Sequence, residues 1–257
     1  MGISIRNLSF SYGDHPIFDN VSVEIPEGEL TVIVGKNGSG KSTLLKLIAG
    51  IYTPQKGSIE VLDNDLKRLS ISKRAKLVGY LTQSHYPVFP FTVEDVVLTG
   101  RASYVLTSPR EIDRQEALRA MSQMGIEELR TRPYNELSAG EQQLVMVARA
   151  LAQRPRVLLM DEPTSHLDLP NQVRLLNIVK DLVLNGLIVV LVIHDPNMGF
   201  IYGDNFIFIK NGNIMKPADE KEPYDRKMLG DVFGIEILIA NDDGKKWIMP
   251  DIWKKLS

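Results

Sequence analysis

Three short stretches of this chain carry residue types suited to phosphate chemistry. The first runs Gly35-Lys36-Asn37-Gly38-Ser39-Gly40-Lys41-Ser42-Thr43. Its glycines remove the Cβ atoms that would keep a backbone from curling round a polyphosphate, and a helix starting near Ser42 would add the positive end of its dipole. In such a loop Lys41 neutralises the outer phosphates and Ser42 offers a hydroxyl to Mg²⁺. The plain alternative is a glycine-rich turn, but an apolar strand leads into it and an apolar helix follows.

The second stretch, Val157 to Pro163, is an apolar strand ending in Asp161 and Glu162. Two adjacent acids at the carboxyl end of a strand in an open α/β sheet sit where such sheets bind ligands. Asp161 suits a Mg²⁺ ligand and Glu162 a general base for an attacking water. A strand merely running out into solvent would need one acid at most. The third stretch is Leu137-Ser138-Ala139-Gly140-Glu141, just ahead of a helix. A serine and small residues at a helix start can hold an anion. The same residues also read as an N-cap serine with Glu141 completing a capping box, and the two readings are compatible.

The elements that must position these residues follow from periodicity. Ile3 to Phe10, Val21 to Ile25 and Ser58 to Leu62 read as strands, Leu30 to Val34 as the strand entering the first loop, and Ser42 to Ile48 as the helix leaving it. Helical character dominates from Val93 to Ala152, clearest over Glu111 to Met124 and Gln142 to Leu151. Strands return at Val157 to Met160, Leu187 to Ile193 and Phe206 to Ile209, with a helix over Pro170 to Leu184 between the first two. Strands alternating with helices predict an α/β fold with a parallel sheet covered on both faces. The helical stretch reads as an insertion into that sheet. Ile235 to Ala240 and Lys246 to Met249 predict a hairpin.

Composition removes several classes. The chain has 257 residues, 24% of them charged, with a formal net charge of −2, so nothing draws it as a whole to nucleic acid or anionic lipid. It has no cysteine, which excludes disulfides, thiolate metal sites and cysteine nucleophiles. No secretory signal is expected from Met1 to Phe10, and the apolar run Leu187 to Ile193 is too short to span a bilayer. A role at a membrane would therefore require docking on a protein that spans it. The basic residues Lys67, Arg68, Lys73, Arg74 and Lys76 read as a solvated helix face.

With these motifs in order, the chain resembles the ABC-transporter ATPases along nearly its whole length. Leu137 to Glu141 is similar to their signature, with Ala139 in place of a glycine and Glu141 in place of a glutamine. Tyr12 matches the aromatic that stacks on adenine, Gln83 the loop glutamine that senses Mg²⁺ and water, Asp168 the loop that crosses a dimer interface, and His194 the switch histidine. The resemblance implies a P-loop NTPase (RecA-like) core with an N-terminal antiparallel β subdomain and an inserted helical subdomain. Residues 1–83 and 156–212 would form the β subdomain and core, 84–155 the helical subdomain and 213–257 a tail. It implies ATP and Mg²⁺ as ligands, with Glu162, His194 and Gln83 catalytic, and Ser42, Gln83 and Asp161 on the metal. Tyr12, residues 35–43, Ser138, Gly140 and Asp168 would bind nucleotide, Ser138 and Gly140 from the second subunit of a head-to-tail homodimer.

Finer details are similar to the importers of iron–siderophore, haem and cobalamin complexes. These are Ser165-His166-Leu167-Asp168, the stretch Thr92 to Arg101, and Val232 to Ile237. That branch implies membrane permease partners, a separate substrate-binding protein, no nucleic acid, and a peripheral place on the cytoplasmic side of the cell membrane. The region Gln83 to Arg101, with Val88, Phe89 and Phe91, would meet the permease. The rival reading is a soluble ABC ATPase such as a cluster-assembly ATPase. The long coiled coils of repair ATPases and the doubled ATPase units of translation factors have no counterpart here. A regulatory subunit without turnover would not need Glu162 and His194.

Overall fold

The computed structural model describes residues 2–82, 91–105, 107–165, 167–215, 217, 223–243 and 245–251. The chain divides into two compact units: Met1–Lys67 with Val192–Ser257, and Arg68–Leu191.

The first unit opens with strands β1 (Ile3–Tyr12), β2 (His15–Ile25) and β3 (Leu30–Gly35), helix α1 (Lys41–Ile48), and strands β4 (Lys56–Val61) and β5 (Asn64–Asp65). β1 and β2 form a hairpin in which Ile3 faces Ile25, Phe10 faces Phe18 and Tyr12 faces His15. β4 pairs on the other side of β1, and β5 on β4, giving the antiparallel order β2-β1-β4-β5. β2 begins well before the predicted Val21. Its first half alternates less cleanly because the pairing is irregular there, with Asn7 and Asn20 both at φ 51° and joined by a 3.0 Å side-chain hydrogen bond. Asparagine tolerates that left-handed backbone, which irregular strand pairing often requires.

The second unit holds helix α2 (Ile71–Leu77), strand β6 (Val78–Leu81), helices α3 (Val93–Leu98), α4 (Glu111–Gln123) and α5 (Ala139–Ala152), strand β7 (Val157–Asp161), helix α6 (Leu169–Leu184) and strand β8 (Ile188–Val192). The strand order is β8-β7-β6, with β6 parallel to β7. Every residue of β7 and β8 is buried, which explains the apolar runs Val157 to Met160 and Ile188 to Val192. A buried ion pair organises the helices. Arg101 Nε donates to Asp113 at 3.1 Å, and its guanidinium also donates to the Ala152 carbonyl at 3.0 Å. The α2 face carries no buried residue, in keeping with its basic sequence.

The first unit then resumes with helix α7 (Pro196–Tyr202), strands β9 (Asn205–Lys210) and β10 (Asn213–Met215), helix α8 (Arg226–Phe233), and strands β11 (Ile237–Asp242) and β12 (Lys245–Pro250). β9 runs parallel to β3 and β10 antiparallel to β9. The predicted hairpin is present as β11–β12. The Asn197 side chain ties it to α7, donating to the Ile248 carbonyl at 3.1 Å and accepting from the Ile248 amide at 2.8 Å. No helix among the described residues is long and apolar enough to cross a membrane.

Candidate active site

The glycine-rich loop lies between β3 and α1, both anchored by burial. Leu30, Val32, Ile33 and Val34 are at most 2% exposed, and Leu44, Leu45, Leu47 and Ile48 at most 1%. Full burial of such side chains contributes about 1.5–3 kcal/mol each, which holds the two ends of the loop. Between them the backbone takes conformations that favour glycine, with Gly38 at φ 76° and Gly40 at φ 110°. A Cβ on Gly35 would lie 2.5 Å from the Ile209 carbonyl oxygen and 2.7 Å from Ser39 Oγ. The loop is thus packed from behind by β9 and can be built only with glycine at that position.

The loop presents a buried cation. Lys41 is 6% exposed, and its ammonium donates to the carbonyl oxygens of Gly35 and Lys36 at 2.9 Å each. Ser39 Oγ is buried and has no partner among the described residues. No side chain caps α1, and its first turn holds no acid. A helix start without its own anion, beside a lysine and a buried hydroxyl donor, fits a phosphate group. Lys36, Asn37 and Gly38 are exposed, Ser42 is partly buried and Thr43 buried.

Tyr12 reaches this loop. Its hydroxyl lies 3.2 Å from Thr43 Oγ1, although the two residues are far apart in sequence. Phe10 and Tyr52 pack edge-on with the Tyr12 ring at 5.0 and 5.5 Å. Tyr52 carries no motif in the sequence. The Tyr12 hydroxyl beside it holds the Tyr52 phenol above its ordinary range. His194 is also in this unit, exposed just past β8, with Asp195 capping α7 directly after it.

The second unit assembles the acidic and signature residues. Asp161 ends β7 at 5% exposure, and the Tyr80 hydroxyl donates to its carboxylate at 3.4 Å. A buried carboxylate is a hard oxygen donor, as is the Ser42 hydroxyl, and both suit Mg²⁺. Glu162 follows at φ 50°, a left-handed backbone that costs a non-glycine residue about 1–3 kcal/mol and that collects at functional sites. Its carboxylate accepts a 3.1 Å hydrogen bond from Ser165 Oγ.

Ser138 caps α5, so this helix begins three residues before the predicted Gln142. Both halves of the capping box form: the Glu141 amide donates to Ser138 Oγ at 3.3 Å, and the Ser138 amide donates to the Glu141 carboxylate at 2.8 Å. The Ser138 hydroxyl donates to the same carboxylate at 2.7 Å. These bonds, with lesser help from Arg132 and Arg174, hold the Glu141 carboxyl below its ordinary range. Ser138 and Ala139 are exposed while Gly140 is buried. A Cβ on Gly140 would meet the Asn171 side chain at 2.7 Å. Asn171 in turn belongs to the next loop: its amide and side chain donate to Asp168 Oδ1 at 3.2 and 2.6 Å, and Asp168 caps α6. The signature and the Asp168 loop are therefore neighbours, joined through one asparagine.

Two glutamines stiffen these loops. Gln142 Nε2 donates to the carbonyls of Tyr134 and Leu137 at 3.3 and 3.2 Å, and Gln172 Nε2 to those of Thr164 and Leu167 at 3.4 and 3.0 Å. Burial pushes the Tyr134 phenol up to about 12. The sequence does hold a signal for this pair, since each glutamine stands four residues after a capping residue, Ser138 or Asp168.

Gln83, Val88, Phe89 and His166 lie outside the described residues. Of the stretch expected to meet the permease, Phe91 is half-exposed, while Arg101 is 4% exposed and engaged with Asp113 and so offers no side chain to a partner.

Residues 18–165 match the family model described as ABC transporter. The chain is 36% identical to the hemin import ATP-binding protein of Thermobifida fusca, over 93% of this chain and 84% of that one. A structure described as the inward-facing conformation of a metal-chelate type ABC transporter superimposes with a TM-score of 0.85 at 29% identity, covering 100% of this chain and 99% of the other. The dimeric structure of a bacterial ABC transporter cassette superimposes with a TM-score of 0.72 at 30% identity, covering 83% and 97%.

Proposed function

The chain belongs to the ABC transporter ATP-binding family and is an ATPase of the P-loop NTPase fold, and on that premise we propose that it powers an importer of iron–siderophore, haem or cobalamin-type complexes. The buried Lys41 ammonium, held against the carbonyls of its own glycine loop, carries the nucleotide half of this reading. The hemin relative and the metal-chelate structure support the cargo class.

In this reading the loop amides, Lys41 and Ser39 bind the phosphates of ATP, and Tyr12 stacks on the adenine. Ser42 and Asp161 hold Mg²⁺, with Gln83 as a further ligand and sensor. When bound, the ion supplies positive charge to the phosphate oxygens. Glu162 orients the attacking water and accepts its proton as the water oxygen bonds to the γ-phosphorus and the bond to the β–γ bridging oxygen breaks. His194 donates to the γ-phosphate and stabilises the charge that develops there. Ser138 and Gly140 complete the site of a second copy of the chain, and Asp168 crosses between the copies. Catalysis is then mainly positioning and charge stabilisation.

The helical part, 84–155, transmits closure of this homodimer to permease subunits at the cytoplasmic side of the membrane, while a separate binding protein delivers the cargo. Co-purification of the chain with its membrane partner, followed by ATP-driven uptake of a ferric siderophore, haem or cobalamin in reconstituted vesicles, tests the proposal. A complex that moves none of the three while hydrolysing ATP overturns the cargo assignment. Purification with no membrane protein overturns the transport role.

A further inference from the structure

The second unit contains a pocket of about 300 Å³ at the amino ends of β7 and β8, the opposite end of β7 from Asp161 and Glu162. Its floor is apolar, with Ala120, Leu151 and Leu182 all buried. Its rim carries Arg119 from α4, and Arg154 and Arg156 from the segment that joins α5 to β7. Glu116 is the one acid of the lining, and Arg154 already pairs with it at 3.1 Å. Three cations against one carboxylate leave two positive charges facing the pocket.

The backbone that carries two of these arginines is fixed. Arg154 sits at φ 54°, just past the end of α5, where glycine or asparagine is the unstrained choice. Its amide is held by the Leu151 carbonyl at 2.8 Å. The Arg156 peptide is pinned on both sides, donating to the Leu77 carbonyl at 2.9 Å and accepting from the Ile188 amide at 3.1 Å. A guanidinium on a fixed backbone loses less freedom when it binds an oxyanion, and its planar fork matches phosphate oxygens. The pocket volume is at the lower bound for small-molecule sites, and its lining is mixed, with polar and charged side chains at least as prominent as the apolar floor.

We propose that this pocket is a second ligand site, taking a small organic phosphate monoester: the dianion meets Arg119 and Arg156, and a compact apolar body covers the floor. Neither arginine is among the residues assigned to the nucleotide.

Phenyl phosphate is the simplest probe of that chemistry. The full-length chain is first saturated with a non-hydrolysable ATP analogue, so that the glycine loop is filled. Phenyl phosphate is then titrated by calorimetry at about pH 8, where a phosphate monoester is dianionic. The expected result is saturable binding in the millimolar range or tighter, with a Kd that rises at least about tenfold in the Arg119→Ala/Arg156→Ala double variant and with added salt. ATP hydrolysis and melting temperature stay as in the wild type. Phenol, which has no charge, does not bind, and inorganic phosphate, which leaves the floor uncovered, binds at least about tenfold more weakly than phenyl phosphate. Should the double variant fail to fold, Arg119→Gln alone, on the exposed side of α4, carries the test and weakens binding in the same direction. No saturation by phenyl phosphate, or an unchanged Kd in the arginine variants, overturns the site. Inorganic phosphate binding as tightly as phenyl phosphate overturns the organic class of ligand.

Discussion

Gln142 and Gln172 occupy the same place in two different loops. Each is the fourth residue after a helix cap, Ser138 or Asp168. Each folds its side-chain amide back onto two carbonyls, those of the residues one and four before the cap. The two caps are themselves neighbours, since Asn171, which donates to Asp168, also packs over Gly140. The loops assigned to the second subunit's nucleotide are thus braced by one repeated device.

If the bracing matters for function, Gln142→Leu loses two neutral hydrogen bonds and frees the loop ahead of Ser138. The expected stability loss is about 1–3 kcal/mol, measured by urea unfolding. Nucleotide affinity of the single chain stays unchanged, because Lys41 and its loop are untouched. The turnover number falls at least about tenfold, since a misplaced group loses rate rather than binding. Gln172→Leu behaves alike. Wild-type turnover in both variants confines the two glutamines to a structural role.

Glu141 makes the signature helix sensitive to acid. Its folded pKa is depressed, chiefly by the hydrogen bonds from Ser138. The stability it contributes is therefore complete above the ordinary carboxyl pKa and is lost as the pH falls through the depressed value. Glu141→Gln can keep the capping box but has no proton to gain. The stability difference between wild type and this variant is expected to be constant near neutral pH and to narrow on acidification below about pH 4. Thermal melts of both proteins across that range check it, and parallel curves count against the assignment.

Glu162 combines a strained backbone with a carboxylate steered by Ser165. Glu162→Gln keeps the shape, the strain and the Mg²⁺ ligands but removes the base. Nucleotide binding is expected to persist while turnover falls at least about a hundredfold. Ser165→Ala leaves the base but not its orientation, so a smaller loss is expected, in the turnover number rather than in KM. Steady-state ATPase assays with nucleotide titrations separate the two. Full activity in Glu162→Gln removes it from the base role.

Much of this site was legible in the sequence because its parts are contiguous. Leu30 to Val34, interrupted only by the buried Thr31, and Val157 to Met160 are apolar runs because their side chains are buried, and the glycines of 35–40 announce their own backbone. What was not legible depends on chain returns. Tyr52 joins Tyr12 through tertiary packing alone, and Asn171 reaches Gly140 from a different helix. α2 has no buried face, so its sequence has no apolar period to read. α5 starts at Ala139 because its cap, and not its first apolar residue, sets the boundary. Arg101 falls within the stretch whose sequence suggests a contact surface, but nothing in a sequence separates an arginine buried against an aspartate, as Arg101 is against Asp113, from an exposed one.

The composite site is the step on which the whole mechanism depends. Ser138 is exposed at the start of α5, and Lys41 is buried in the first unit. Suppose the signature of one copy completes the nucleotide site of the other. Lys41→Ala then has a defective phosphate loop and a sound signature, while Ser138→Arg has the reverse. Each variant alone builds two defective sites and is expected to hydrolyse ATP poorly. In a mixed dimer one site collects both defects, and the other joins a sound loop to a sound signature. Mixing the two inactive proteins is therefore expected to restore part of the activity, at most about half of the wild-type rate per dimer if sites act independently. The restored fraction grows with protein concentration, because it requires association. ATP-dependent dimerisation, followed by sedimentation in the same mixtures, separates failure to associate from failure to turn over. Mixed dimers that form but stay inactive, where wild-type dimers are active, count against Ser138 acting in the partner's site. Full activity of Ser138→Arg alone reduces Leu137 to Glu141 to the helix cap that its hydrogen bonds already make it.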